Sequence, residues 1–134
     1  VLALALLLFA PVARAEALRV VVDISDQQMV VEWDHHPIHR WPVSTARPGK
    51  WTPRGTFHPQ TLVRMHYSSL YNNAPMPWSI FFRGNYAIHG TDQVKKLGTP
   101  ASAGCIRLSP ANAKVLYRAV KAVGKGSVVI VVKD

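Results

Sequence analysis

Short runs of β-branched and aromatic residues, each broken off by turn residues, fill most of this chain and leave room for one amphipathic helix. Leu18-Arg19-Val20-Val21-Val22-Asp23-Ile24 suits a strand, because branched side chains pack well on a pleated surface. Ser25-Asp26 has turn chemistry, and Gln28 to Trp33 reads as a second strand. Asp34 to Pro37 makes the next turn and Ile38 to Ser44 a third strand, giving an antiparallel meander with short connections. RPGKWTPRG, from Arg47 to Gly55, is a loop, and Thr56 to Met65 is one extended segment. His66 to Pro77 is polar and punctuated by proline, a long loop of the kind that frames a groove. Trp78 to Phe82 and Tyr86 to Ile88 form two strands across Arg83-Gly84-Asn85, and Gly90 to Gly104 is loop again. Ser109 can cap a helix with Pro110 in its first position and Leu116, Ala119, Val120 and Val123 at helical spacing. Gly124 or Gly126 ends it, and Ser127 to Val132 is a final strand. The expectation is a single mostly-β domain with one main helix near its C-terminus, whose strand order does not follow from periodicity.

The first ten residues, VLALALLLFA, carry no charge and run into Pro11 and Ala13-Arg14-Ala15. An apolar stretch followed by an A-x-A site is the pattern of a secretory signal cut after Ala15, so residues 1–15 are expected to be removed and 16–134 to fold. The stretch is too short for a bilayer span, which needs about 20 apolar residues, so no integral span is expected. Export would place the domain in the periplasm or cell envelope. Losing Arg14 with the signal lowers the formal charge from +9 to +8, an excess that favours a polyanionic partner. Export argues against nucleic acid. An anionic membrane or a carboxylate-rich polymer fits the envelope.

Cys105 is the only cysteine. In an oxidising compartment a lone thiol is a liability that calls for a use. It stands where the polar loop ends, after Ser102-Ala103-Gly104 and before Ile106-Arg107-Leu108, so small residues let a substrate approach the backbone closely. The amides of Ala103, Gly104 and Cys105 could converge on a developing oxyanion. His89 ends the apolar strand Tyr86-Ala87-Ile88 and opens the loop that returns to Cys105. A free thiol has a pKa of about 8.5, and a neighbouring imidazole can take its proton and later pass it to a leaving amine.

Ile88-His89-Gly90-Thr91, followed by Leu97-Gly98-Thr99-Pro100-Ala101-Ser102-Ala103-Gly104-Cys105-Ile106-Arg107-Leu108, strongly resembles the L,D-transpeptidase (YkuD) catalytic domain. Val43-Ser44-Thr45, Thr52-Pro53-Arg54-Gly55-Thr56-Phe57, Met76-Pro77 and Tyr86 match further motifs, and the resemblance runs from Leu18 to Val132. It implies an antiparallel sandwich or barrel-like β-domain, with Cys105 as nucleophile and His89 as proton-transfer partner. It further implies that the Gly90 carbonyl orients the imidazole, that Ser102 and Ala103 belong to the supporting motif, and that the Gly104 and Cys105 amides hold the oxyanion. Arg107 would hold a carboxylate or brace the loop, and Tyr86 and Trp78 would wall the groove. Two positions depart from the pattern. Ala103 stands where the motif usually has a second histidine, and Ala46 where it usually has glycine after Ser-Thr. The histidine's position contributes chiefly a backbone N–H, which alanine keeps.

The implied reaction removes D-alanine from a peptidoglycan tetrapeptide stem, of the meso-diaminopimelate type, through a thioester. It then passes the acyl group to an amine of a second stem or of an outer-membrane protein. It needs no cofactor, because one peptide bond is exchanged for another. Two other readings use the same residues: a carboxypeptidase or hydrolase in which water is the acceptor, and a non-catalytic wall-binding module in which Ala103 reports lost chemistry. His35, His36 and His39 lie in a turn and strand start without recognised ligand spacing, so no metal is expected. Gly49-Lys50-Trp51-Thr52 lacks the upstream glycine of a phosphate loop, since Ser44 occupies that position.

Overall fold

The structure, a computed structural model, describes residues 17–134; the expected signal over residues 1–15 lies outside the described residues. Among the described residues no helix is long and apolar enough to cross a membrane. Among the described residues nine strands form two sheets, with strand orders β3-β2-β1-β9-β4 and β5-β6-β7-β8.

The first sheet begins as the meander its sequence suggests: β1 (Leu18–Asp23), β2 (Gln28–Trp33) and β3 (His36–Pro42). Leu18, Val20 and Val22 alternate inward along β1, and Met29 and Val31 do so along β2. Asp34 and His35 join β2 to β3 with φ of 48° and 64°, the left-handed pair that matches the twist of a tight hairpin. β9 (Val128–Lys133) then enters between β1 and β4 (Gly55–Phe57), parallel to β1 and antiparallel to β4. Strands from the two ends of the domain therefore share one ladder.

The second sheet comprises β5 (Thr61–Tyr67), β6 (Pro75–Arg83), β7 (Tyr86–Gly90) and β8 (Ile106–Leu108). α1 (Pro110–Val123) packs against β6, β7 and β8. Ser109 Oγ accepts from the Asn112 N–H at 3.1 Å, Pro110 occupies the first turn, and Gly124, with φ of 89°, ends the helix. Ala113, Leu116, Tyr117 and Val120 go into the core at helical spacing. They meet Ile80, Phe82, Ile88, Ile106 and Leu108 from the second sheet and the inward valines of the first in one apolar cluster.

The mostly-β domain with one main helix near the C-terminus is as the sequence suggests, and five of its strand pairs are antiparallel. Two pairs, β1–β9 and β7–β8, are parallel. Thr56 to Met65 is not one segment. Pro59, which has no N–H for a ladder, falls between β4 and β5, which lie in different sheets. The loop expected over His66 to Pro77 is shorter, because β6 already begins at Pro75. Pro75 and Pro77 pair only with β5 there, so each proline nitrogen can face the unpaired side. The third strand ends at Pro42, and Ser44 instead bridges Arg107.

Candidate active site

In the parallel pair β7–β8, Ile88 lies opposite Ile106 and His89 opposite Arg107. Alternation sends Ile88, Ile106 and Leu108 into the core and leaves His89 and Arg107 on the other face. Cys105 stands one residue before β8, two before Arg107, and so projects to the same side. A cavity of about 340 Å³ opens there, lined by Cys105, His89 and Arg107 together with Tyr86, Ser102 and Ala103. The β5–β6 connection supplies its far wall through Ser68, Leu70 and Tyr71.

His89 is buried, and its Nδ1 lies 2.7 Å from the Gly90 carbonyl oxygen. A carbonyl only accepts, so Nδ1 carries the proton of the neutral ring and Nε2 keeps the lone pair. Burial disfavours the imidazolium and pulls the His89 pKa down from 6.5 to about 4, against the Gly90 bond; the Arg107 and His66 charges add to the lowering. Burial likewise pushes the Cys105 thiol up, against a bond from the Ala87 backbone and the Arg107 charge. Near neutrality the site therefore holds a thiol and a neutral imidazole, with no standing ion pair. The Cys105 thiol donates to the Asn85 carbonyl at 3.7 Å, and among the described residues it has no hydrogen bond to His89. Thiol and ring share one cavity, and a turn of the thiol away from Asn85 is needed before they exchange a proton.

The turn ahead of Cys105 is held from within. Ser102 Oγ donates to the Cys105 carbonyl at 2.6 Å and accepts from the Gly104 N–H at 3.0 Å. Thr52 Oγ1 donates to the Gly104 carbonyl at 2.9 Å and accepts from the Ala46 amide at 3.0 Å. Gly104 has φ of 138°, and a Cβ there would come within 2.7 Å of the Trp51 carbonyl oxygen and 2.8 Å of Tyr86 Cε1. Only glycine fits. This changes the role expected for Gly104: its N–H is already engaged by Ser102, whereas among the described residues the amides of Ala103 and Cys105 have no acceptor. Those two are the open donors.

The other sequence-derived candidates divide. Tyr86 lines the cavity and meets Trp51 edge-on, with ring centroids 5.9 Å apart. Arg107 lines it too, with Nη1 3.3 Å from Gln93 Oε1. Gly90 is closely packed, since a Cβ would lie 3.0 Å from Pro110 Cα and 3.1 Å from Pro77 Cγ. Trp78 is not a groove wall. It is absent from the cavity lining and packs against Tyr117 of α1 at 5.3 Å; its φ of 57° breaks the alternation of β6 and turns the ring to the helix side. His39 stacks on Trp41 at 4.6 Å, and His35 sits in the hairpin turn.

Some participants have no local signal, although the Ser44 and Thr45 that they support belong to a matched motif. Gln27 is buried and grips Thr45, donating from Nε2 to Thr45 Oγ1 at 2.7 Å and accepting from the Thr45 N–H at 3.0 Å. Thr45 in turn accepts from the Ala101 and Ser102 amides, while Ser44 Oγ donates to the Thr99 carbonyl at 2.7 Å. Asn85, Arg47 and His66 line the cavity, and none of them carries a spacing that would single it out.

Fold and site together define a two-sheet β-domain whose one cysteine and a buried histidine face a common cleft at the end of a parallel strand pair. The model of the L,D-transpeptidase catalytic domain (YkuD) matches residues 17–131, and the chain belongs to that family. No curated protein matches it. Among solved structures, an L,D-transpeptidase from Mycobacterium smegmatis superposes with a TM-score of 0.78 at 23% identity, over 88% of this chain and 59% of that one. One from Stackebrandtia nassauensis gives 0.76 at 25% identity, over 88% and 56%. L,D-transpeptidase 3 from Mycobacterium tuberculosis, in complex with a faropenem-derived adduct, gives 0.74 at 20% identity, over 88% and 60%. The chain spans about three fifths of the length of these structures. The likeness is one of fold.

Proposed function

We propose that the chain is a peptidoglycan L,D-transpeptidase that works through a thioester on Cys105. The observation that supports it most is the shared cavity of a lone thiol and an imidazole whose Nδ1–H is fixed by the Gly90 carbonyl, with Nε2 left as the base. Sγ attacks the carbonyl of the diamino acid in a tetrapeptide stem while Nε2 takes the thiol proton. The oxyanion meets the open amides of Ala103 and Cys105. The C–N bond to D-alanine breaks, and the imidazolium returns its proton to the leaving amine. An amine from a second meso-diaminopimelate stem, or from an outer-membrane protein, then attacks the thioester, loses its proton to His89, and restores the thiol. Because burial makes the imidazolium costly, it exists only within each step. The signal expected over residues 1–15 would carry the enzyme to the periplasm, where a thioester intermediate removes any need for ATP.

Incubation with a disaccharide tetrapeptide and separation of the products tests this reading. The expected result is free D-alanine with 3-3 cross-linked dimers, and neither from Cys105→Ala. Tripeptide with no dimers would assign the site to hydrolysis. Unchanged substrate would overturn the proposal.

A further inference from the structure

α1 carries Lys114, Arg118 and Lys121, and the spacing of four and three residues puts all three on one helix face. The helix has no acidic residue, so no carboxylate of its own offsets these charges. Trp78 on β6 gathers this charge. Arg64 Cζ lies 5.0 Å, Lys114 Nζ 5.6 Å and Arg118 Cζ 5.9 Å from its ring centroid. Three like charges around one indole repel each other, and cation–π attraction at an exposed site offsets only a small part of that repulsion. Among the described residues no carboxylate pairs with Arg64, Lys114, Arg118 or Lys121. The surface keeps a concentrated, unneutralised positive patch. Strong local charge of one sign draws a partner of the other.

The patch lies away from the catalytic cavity. Gly90 points its missing Cβ at Pro110 and Ala113 of α1, and it shares the parity of Ile88, whereas His89 faces the cavity. The helix therefore covers the face of the sheet opposite the site. The indole is half-buried beneath its cations, and Val115 is the one large apolar side chain of α1 that is exposed. A bilayer surface is bound through aromatic and aliphatic anchors beside the basic residues, and the patch does not offer them. Arg64 and Arg118 each bring a planar fork suited to a carboxylate.

We infer that the Arg64–Lys114–Arg118–Lys121 face around Trp78 is an exosite for the carboxylate-bearing wall polymer, separate from the cavity that works on its stems. This rests on the proposed substrate, but its test does not rest on catalysis. The Cys105→Ala chain is sedimented with purified peptidoglycan sacculi, with and without R64Q/K114Q/R118Q; R40Q/K125Q/K133Q removes the same charge elsewhere. The expected result is an apparent Kd raised about tenfold or more by R64Q/K114Q/R118Q, with a weaker salt dependence, and little change from the control. With Cys105 restored, turnover of a small soluble stem peptide stays at the parent rate while turnover on sacculi falls. Equal losses from both triple variants, unchanged sedimentation, or an effect seen only on phosphatidylglycerol vesicles would each overturn the exosite. Loss of stem-peptide turnover by the parent chain itself would count against the transpeptidase reading and leave the sedimentation result standing. Matching thermal melts for all variants exclude unfolding as the cause.

Discussion

The two faces of the β7–β8 pair are one residue apart in sequence and opposite in construction. Ile88, Ile106 and Leu108 look into the core and are fully buried among apolar partners. His89, Cys105 and Arg107 look into the cavity, where burial works against both the imidazolium and the thiolate. The first face gains stability from leaving water. The second holds polar groups in a half-dry site, where they become useful for proton transfer and gain nothing from burial itself. A strand's period of two keeps these demands apart: a residue can be exchanged on one face with little effect on the other.

Substitutions on each face should therefore break different measurements. The largest effect expected is on chemistry. His89→Ala should slow acylation of Cys105 by about 10²–10⁴-fold, read as the rate of β-lactam adduct formation, with the fold retained. A core change of similar energy should do the reverse. Phe82 is 1% exposed and meets the Phe57 ring at 5.2 Å, so Phe82→Ala should cost about 3–5 kcal/mol in denaturant unfolding. Its surviving folded fraction should acylate at the parent rate. If His89→Ala lowered stability as much as Phe82→Ala does, the division between faces would fail.

The pH dependence sharpens the same contrast. His89 titrates near 6.5 when unfolded and at about 4 when folded, so between those values the unfolded chain holds more protons. Stability should be fully present above pH 6.5 and decline by about 3 kcal/mol as pH falls to 4. His89→Gln should flatten that segment of a stability–pH curve. The smallest effect expected is at the turn. Ser102→Ala leaves the buried Gly104 N–H without its acceptor and should cost about 1–3 kcal/mol, with slower acylation because the Ala103 and Cys105 amides lose their brace. Urea unfolding beside adduct kinetics would separate the two contributions.

Legibility in the sequence followed the range of the interactions. β1, β2 and α1 were readable because alternation, a capping serine and a terminal glycine act within a few residues. The split at Pro59 and the early start of β6 were not, since both depend on which neighbour a strand meets and not on its own composition. The same holds for β9 joining β1 from the far end of the chain. In the site, Cys105 and His89 stood out as a lone thiol and a strand-end imidazole within one recurring motif. Gln27 did not, because its partner Thr45 lies 18 residues away and no spacing announces such a bond; Thr52 stood in a matched motif, but its bond to the Gly104 carbonyl 52 residues on did not. Trp78 misled for the opposite reason. Aromatic residues suit a groove and a helix–sheet contact equally, and the left-handed φ of Trp78, which breaks the alternation of β6 and sets the ring against Tyr117, is not written in its own residue type.

The chemistry assigned to the cleft depends on Cys105 being attackable and attacking. Intact-mass measurement of the purified chain after exposure to a carbapenem tests this directly. One covalent adduct is expected on the parent protein and none on Cys105→Ala. A parent chain that stays at its unmodified mass while folded, or a Cys105→Ala chain that gains the same mass, would contradict it.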